Sequence, residues 1–123
     1  MNLAELFKNE PEKINVAAGK TLFKQGEVEE VMYVLVEGEA EIQINGRVVG
    51  AAKPGDVLGE MGLIETEPHS ATAVAKTNCT LVPIDEKRFC FLVQQTPYFA
   101  THVMKVLADR LRHMSELLAK PKD

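Results

Sequence analysis

The sequence predicts a mainly β domain with flanking helices: a short N-terminal helix, about eight antiparallel strands, then two C-terminal helices. Three observations carry this. Gly19, Gly26, Gly38, Gly46 and Gly55 fall 7 to 12 residues apart, the turn punctuation of an antiparallel sandwich or barrel. Ala40, Ile42 and Ile44 alternate with Glu39, Glu41 and Gln43, so one strand face is dry and the other wet. Beyond Ile84 the apolar residues change to helical spacing.

Each element has its own signal. Asn2 suits the cap of a first helix within residues 1–13, with Glu5 completing a capping box and Leu3, Leu6 and Phe7 as its apolar face. The β region spans 14–84. Residues 31–36 are apolar on both faces, as a strand buried inside a roll requires. Asn45-Gly46 supplies the two positive-φ residues of a type I′ turn, from which residues 47–52 return. Pro54-Gly55 suits a type II turn that delivers the chain to Val57 and Leu58. Residues 72–76 and 79–84 read as two more strands. Asp85 caps a helix over 85–96 whose face is Phe89, Leu92 and Val93. Thr96-Pro97 opens the last helix, 97–118, which stops before Pro121.

A chain of 123 residues makes one domain, 1–123, and buries about two-thirds of its surface on folding. The net charge of −4 gives no electrostatic footprint for nucleic acid. No run approaches the ~20 apolar residues of a membrane span, and the acidic N-terminus lacks a secretory pattern. Cys79 and Cys90 are too few for a disulfide framework and read as small hydrophobic residues of strand and helix. A cytoplasmic protein with neither nucleic-acid nor membrane contact is expected. The three histidines, His69, His102 and His113, lack metal-ligand spacing, and the last two read as surface residues, so no metal is expected. Gly19-Lys20-Thr21 has Ile14 where a phosphate-binding Walker loop needs glycine. Adjacent residues on a strand point to opposite faces, so Ser70 beside His69 is a poor nucleophile–base pair. No enzyme is expected.

The chain is organised around residues 59–74, GEMGLIETEPHSATAV. Gly59 and Gly62 leave the backbone open to a ligand. A short turn with free N–H groups facing a second segment is an anion cradle. This stretch resembles the phosphate-binding cassette of cyclic nucleotide-binding domains. Gly59-Glu60 match its opening, Met61-Gly62-Leu63-Ile64 its apolar turn, and Pro68, Ser70, Ala71 and Thr72 its end. Residues 17–42 are similar to the family's opening strands. The resemblance covers nearly the whole chain and implies an antiparallel β-roll (double-stranded β-helix, or jelly roll). It also implies a ligand, cAMP or cGMP, and no cofactor. It places Gly59, Glu60, Met61, His69, Ser70 and Ala71 at the ligand, with Glu60 on the ribose 2′-hydroxyl. The family's phosphate-clamping arginine falls on His69.

In the last helix Ala100, Met104, Leu107, Leu111, Met114 and Leu118 are spaced 4-3-4-3-4, the a/d seam of a coiled coil. Phe99, Val103 and Val106 form a second stripe on the first half only, suited to pack on the barrel. The seam either joins two copies through Met104, Leu107, Leu111, Met114 and Leu118 or folds back on the chain's own barrel. In the catabolite activator branch of the family this helix forms the dimer interface and its far end covers the base. By that resemblance Met114 and Ser115 stand where a polar pair reaches the base. The branch's DNA-reading motif would lie beyond Asp123. The resemblance therefore implies sensing, with output carried by a partner protein or by the rest of a longer chain.

Histidine makes a weaker phosphate clamp than arginine. It offers one bond at a time and is only about a tenth to a quarter charged at neutral to slightly alkaline pH. Losing a charge-assisted partner at a desolvated phosphate costs about 3–5 kcal/mol, a hundredfold or more in affinity. Three readings follow: weak cyclic-nucleotide binding, a degenerate pocket on a dimerisation or docking module, or a different small ligand. Taken alone, His69 also reads as a solvent-facing loop residue.

Overall fold

The structure, a computed structural model, describes residues 3–119. The expected Asn2 cap and the stop before Pro121 lie outside those residues. The described residues form α1 (Leu3–Leu6), then β1 (Ile14–Val16), β2 (Thr21–Phe23), β3 (Val31–Glu37), β4 (Ala40–Ile44), β5 (Arg47–Ala52) and β6 (Val57–Leu58). A short helix, α2 (Glu60–Ile64), precedes β7 (Thr72–Ala75) and β8 (Cys79–Asp85), and α3 (Glu86–Gln95) and α4 (Pro97–Ala119) end the fold.

The strands pair as one long hairpin rolled up on itself. β4 meets β5 at the tip, then β3 meets β6, β2 meets β7 and β1 meets β8, all antiparallel. Further pairings of β3 with β8 and of β4 with β7 close the roll into two four-stranded sheets, ordered β1-β8-β3-β6 and β2-β7-β4-β5. This is the β-roll that the sequence predicts. At the tip Asn45 and Gly46 take φ of 53° and 77°, the left-handed pair that a type I′ turn demands. The Gln25 side chain braces this turn, accepting from the Asn45 N–H at 2.8 Å and donating to its Oδ1 at 3.1 Å.

β3 explains why its sequence is apolar on both faces. Met32, Val34 and Val36 join one cluster with Phe7, Ile84, Phe99 and Val103, under the helices. Leu35 enters a second cluster between the sheets with Phe23, Leu58 and Leu81. There the other sheet contributes small residues, Ala40, Ala52, Ala73 and Ala75. Small side chains at the inner face leave room further along the same strands, where the site lies.

The helices dock by the stripes read from sequence. The Asp85 carboxylate accepts from the Arg88 N–H at 2.8 Å and caps α3, whose Phe89, Leu92 and Val93 pack against the core. Phe99 is fully buried and meets the rings of Phe7 and Phe89 edge-on, at 6.0 and 5.4 Å. Along the seam Ala100 and Leu107 are partly covered. Met104, Leu111 and Leu118 are 61%, 69% and 85% exposed and do not fold back on the roll, whereas Met114, 50% exposed, turns partly toward it. Cys79 is buried in its strand, but Cys90 departs from its expected apolar packing: it lies on the exposed face of α3.

Candidate ligand site

The site forms where β6 leaves one sheet, turns through α2 and re-enters the other sheet at β7. Gly59 caps α2 with φ 73° and ψ 23°, a left-handed conformation that glycine adopts without steric cost. Gly62 faces the backbone of the β2–β3 connection so closely that an added Cβ would sit 2.2 Å from the Glu29 carbonyl. The far end of the cassette is fastened to the same connection. The His69 N–H donates to the Glu27 carbonyl, and the Gly26 N–H donates to the His69 carbonyl, each at 2.8 Å.

These elements enclose a cavity of about 300 Å³, at the lower end of small-molecule pockets, roughly 300–1,000 Å³. Gly59, Glu60, Met61, His69, Ser70 and Ala71 all line it. Ile42 and Ile44 of β4 form an apolar wall with Val49, Gly50 and Ala51 of β5. A register shift between Ile42 and Gln43 puts an extra residue into β5 there, as bulges beside sites do, and three successive β5 residues face the cavity. Phe23, Leu58 and Met114 add further apolar surface.

Two polar constellations stand in this apolar lining. In the first, Arg110 of α4 donates from Nη1 to Glu60 Oε2 at 3.0 Å, and its Nη2 donates to the Val57 carbonyl. Both side chains are partly shielded, 37% and 19% exposed. In the second, His69 is only 3% exposed. Its ring stacks on Phe23 with centroids 4.1 Å apart, and its Nε2 lies 2.8 Å from Glu29 Oε1. The other Glu29 oxygen accepts from the Tyr33 hydroxyl at 3.0 Å. Burial first, then the hydrogen bond to Glu29, pushes the Tyr33 pKa up to about 12. His69 Nδ1 is buried with no hydrogen-bond partner among the described residues.

Several expectations are corrected here. His69 is not a solvent-facing loop residue. The backbone ladder to residues 26–27 pulls it inward, and Phe23 covers it. The carboxylate that reaches it is Glu29, which lies outside residues 59–74. His113 is exposed, as expected of a surface residue, and also borders the cavity with Met114. Ser115 is exposed on α4 and is not among the residues lining its own chain's cavity. Glu29 and Arg110 were missed altogether. Arg110 stands one helical turn before Met114 and on its face of the helix, and that offset was the one signal available.

The eight-stranded roll thus encloses an apolar cavity framed by glycines and set with a carboxylate–guanidinium pair and a buried imidazole, the form of a small-molecule pocket. The chain belongs to the cyclic nucleotide-binding domain family, whose model matches residues 13–96. It is 29% identical over 122 residues to the Pycsar effector protein XpPycTIR of Xanthomonas perforans, covering 98% of this chain and 40% of that protein. It is 33% identical over 102 residues to the cAMP-activated global transcriptional regulator CRP of Salmonella typhimurium, covering 78% of this chain and 49% of the regulator. The chain thus spans half or less of the length of these relatives. In structure it resembles the catabolite activator protein of Thermus thermophilus, with a TM-score of 0.75 and 27% identity over 87% of this chain and 53% of that one. Among the described residues no helix is long and apolar enough to cross a membrane.

Proposed function

We propose that this domain is a non-enzymatic sensing module that binds cAMP or cGMP weakly and relays occupancy through α4. The observation that carries the reading is one open cavity lined by six cassette residues, with Glu60 held at its wall by Arg110. In this reading Glu60 accepts from the ribose 2′-hydroxyl while Arg110 fixes the carboxylate. Ser70, the cassette N–H groups and His69 meet the cyclic phosphate. The base lies against Ile42, Ile44 and Val49, with Met114 and His113 at the helix end. Arg110 belongs to α4, so a ligand that reorganises Glu60 acts on that helix directly. The exposed row Met104, Leu111, Met114 and Leu118 supports a homodimer through α4. In such a dimer Ser115, turned away from its own cavity, is available to the partner's. An output protein partner completes the module.

Calorimetry with cAMP and cGMP on the native protein and on His69→Arg tests this. Millimolar-range binding by the native protein, tightened at least tenfold in the arginine variant, is expected at pH 7.5. Absence of binding by both proteins at millimolar ligand overturns the sensor reading. It would leave a dimerisation or docking module.

A further inference from the structure

Resting on the cyclic-nucleotide reading above, we propose that the anion end of the cavity takes its ligand together with a proton, on an imidazole held by a Tyr33–Glu29–His69 chain. Glu29 bridges two donors: Oε1 lies 2.8 Å from His69 Nε2 and Oε2 accepts from the Tyr33 hydroxyl at 3.0 Å. Tyr33 remains a protonated donor, since burial and Glu29 both hold its proton. With Glu29 as a carboxylate, which can only accept, the bond to Oε1 takes its proton from His69 Nε2. The neutral ring then carries a bare lone pair at Nδ1.

That Nδ1 is the orphan of the site. It is buried without a partner and lies beside Gly59, where an added Cβ would stand 3.4 Å from it. A lone pair repels the oxygen of a monoanionic phosphodiester. Only the imidazolium, with N–H at both nitrogens, serves Glu29 and the ligand at once. The proton comes from solvent and no covalent bond is broken.

The remaining charged groups around the ring do not substitute for this proton. Phe23, stacked on it, is uncharged. Glu27 takes the His69 backbone N–H on its carbonyl, and its carboxylate accepts from the Lys24 N–H. Glu60 and Arg110 on the cavity wall are paired with each other, and His113, the other imidazole at the cavity, is exposed on α4 and is kept in His69→Arg, which therefore separates the two. Glu29 is thus a positioning residue: it orients the ring and supplies the counter-charge that makes the imidazolium tenable in a buried place.

The test is calorimetry with cAMP and cGMP between pH 6 and 8.5, in buffers of different ionisation enthalpy. Uptake of up to one proton per ligand is expected, with affinity falling by as much as tenfold per pH unit on the alkaline side. His69→Arg should bind with no pH dependence over this range. Glu29→Gln should move the pH profile of the native protein to lower pH, a shift that a merely structural role would not produce. Far-UV circular dichroism checks both folds, and if Glu29→Gln fails to fold the native proton count decides alone. Binding of unchanged affinity across the range, without proton uptake, overturns this inference and leaves the nucleotide reading standing. No binding by native protein and His69→Arg at any pH overturns both.

Discussion

Replacing Arg110 by methionine isolates the bond between the last helix and the cassette. Methionine keeps much of the stem and removes two donors, one to Glu60 Oε2 at 3.0 Å and one to the Val57 carbonyl. A hydrogen bond to a charged group is worth roughly 1.5–3 kcal/mol when desolvated. Here the Arg110 side chain is 37% exposed and Glu60 19%, so solvent screening lowers the figure. About 1–2 kcal/mol of stability should be lost. With an m-value near ~2 kcal/mol/M, the urea midpoint falls by about 0.5–1 M. Glu60→Gln and the double variant complete a cycle in which the coupling should be about 1 kcal/mol and should shrink in 1 M salt, where charges screen within ~3 Å. In the sensor reading Arg110→Met also weakens cyclic-nucleotide binding about tenfold, because Glu60 is no longer held for the ribose. Unchanged midpoints with zero coupling would show that the bond does not tether α4, and the proposed relay would lose its physical link.

Three further outcomes are expected. Gly59→Ala forces a side chain into φ 73° and brings its Cβ within 2.9 Å of the His69 ring; a loss of at least ~1 kcal/mol in chemical denaturation is expected, and a neutral result would mean that the ring is not packed there. Met104→Lys with Leu111→Lys charges two seam residues that are 61% and 69% exposed; sedimentation should show a dimer in the native protein and a monomer of unchanged fold in the variant, whereas a monomeric native protein would refute the seam. Tyr33 has its folded pKa raised from 10.0 to about 12. Stability from this group is therefore complete below about pH 10 and is lost as the pH climbs toward about 12, a loss that Tyr33→Phe should abolish in alkaline denaturation.

The roll was legible because its signals are local. The Asn45-Gly46 turn, the alternation along residues 39–44, the Asp85 cap and the Phe99 stripe each depend on neighbours within a turn or a strand, and each is where the sequence puts it. The cassette was legible as a motif, and six of its residues do share one cavity. What lay hidden is long-range. His69 meets Glu29 across 40 residues, and Arg110 meets Glu60 across 50. No periodicity encodes such pairs. His69 was also misjudged because Pro68 and the glutamates at 65 and 67 make its surroundings look wet. The backbone bonds to residues 26–27, which turn it inward, leave no mark on composition. The same holds for Cys90, since helical spacing alone does not say which side chains the neighbouring elements reach.

The cassette is fastened to two different parts of the molecule, and this arrangement decides what a ligand can move. Gly62 rests on the Glu29 backbone and His69 on the Glu29 side chain, so the anion end is built on the β2–β3 connection. That connection leads straight into β3, which is buried over most of its length and pairs with both β6 and β8. Glu60, by contrast, is held by Arg110, in the half of α4 beyond the buried Phe99 and Val103. The anion end is therefore the fixed jaw, because moving it means disturbing the strand pairings of the roll. The ribose end is the free jaw, because among the described residues no apolar side chain of α4 beyond Val103 is fully buried in this chain's own core. A ligand that bonds to both ends spends its interaction on the weaker side. In the proposed mechanism occupancy is thus felt at Arg110 and along α4, while the proton-dependent grip at His69 sets how much occupancy there is to feel.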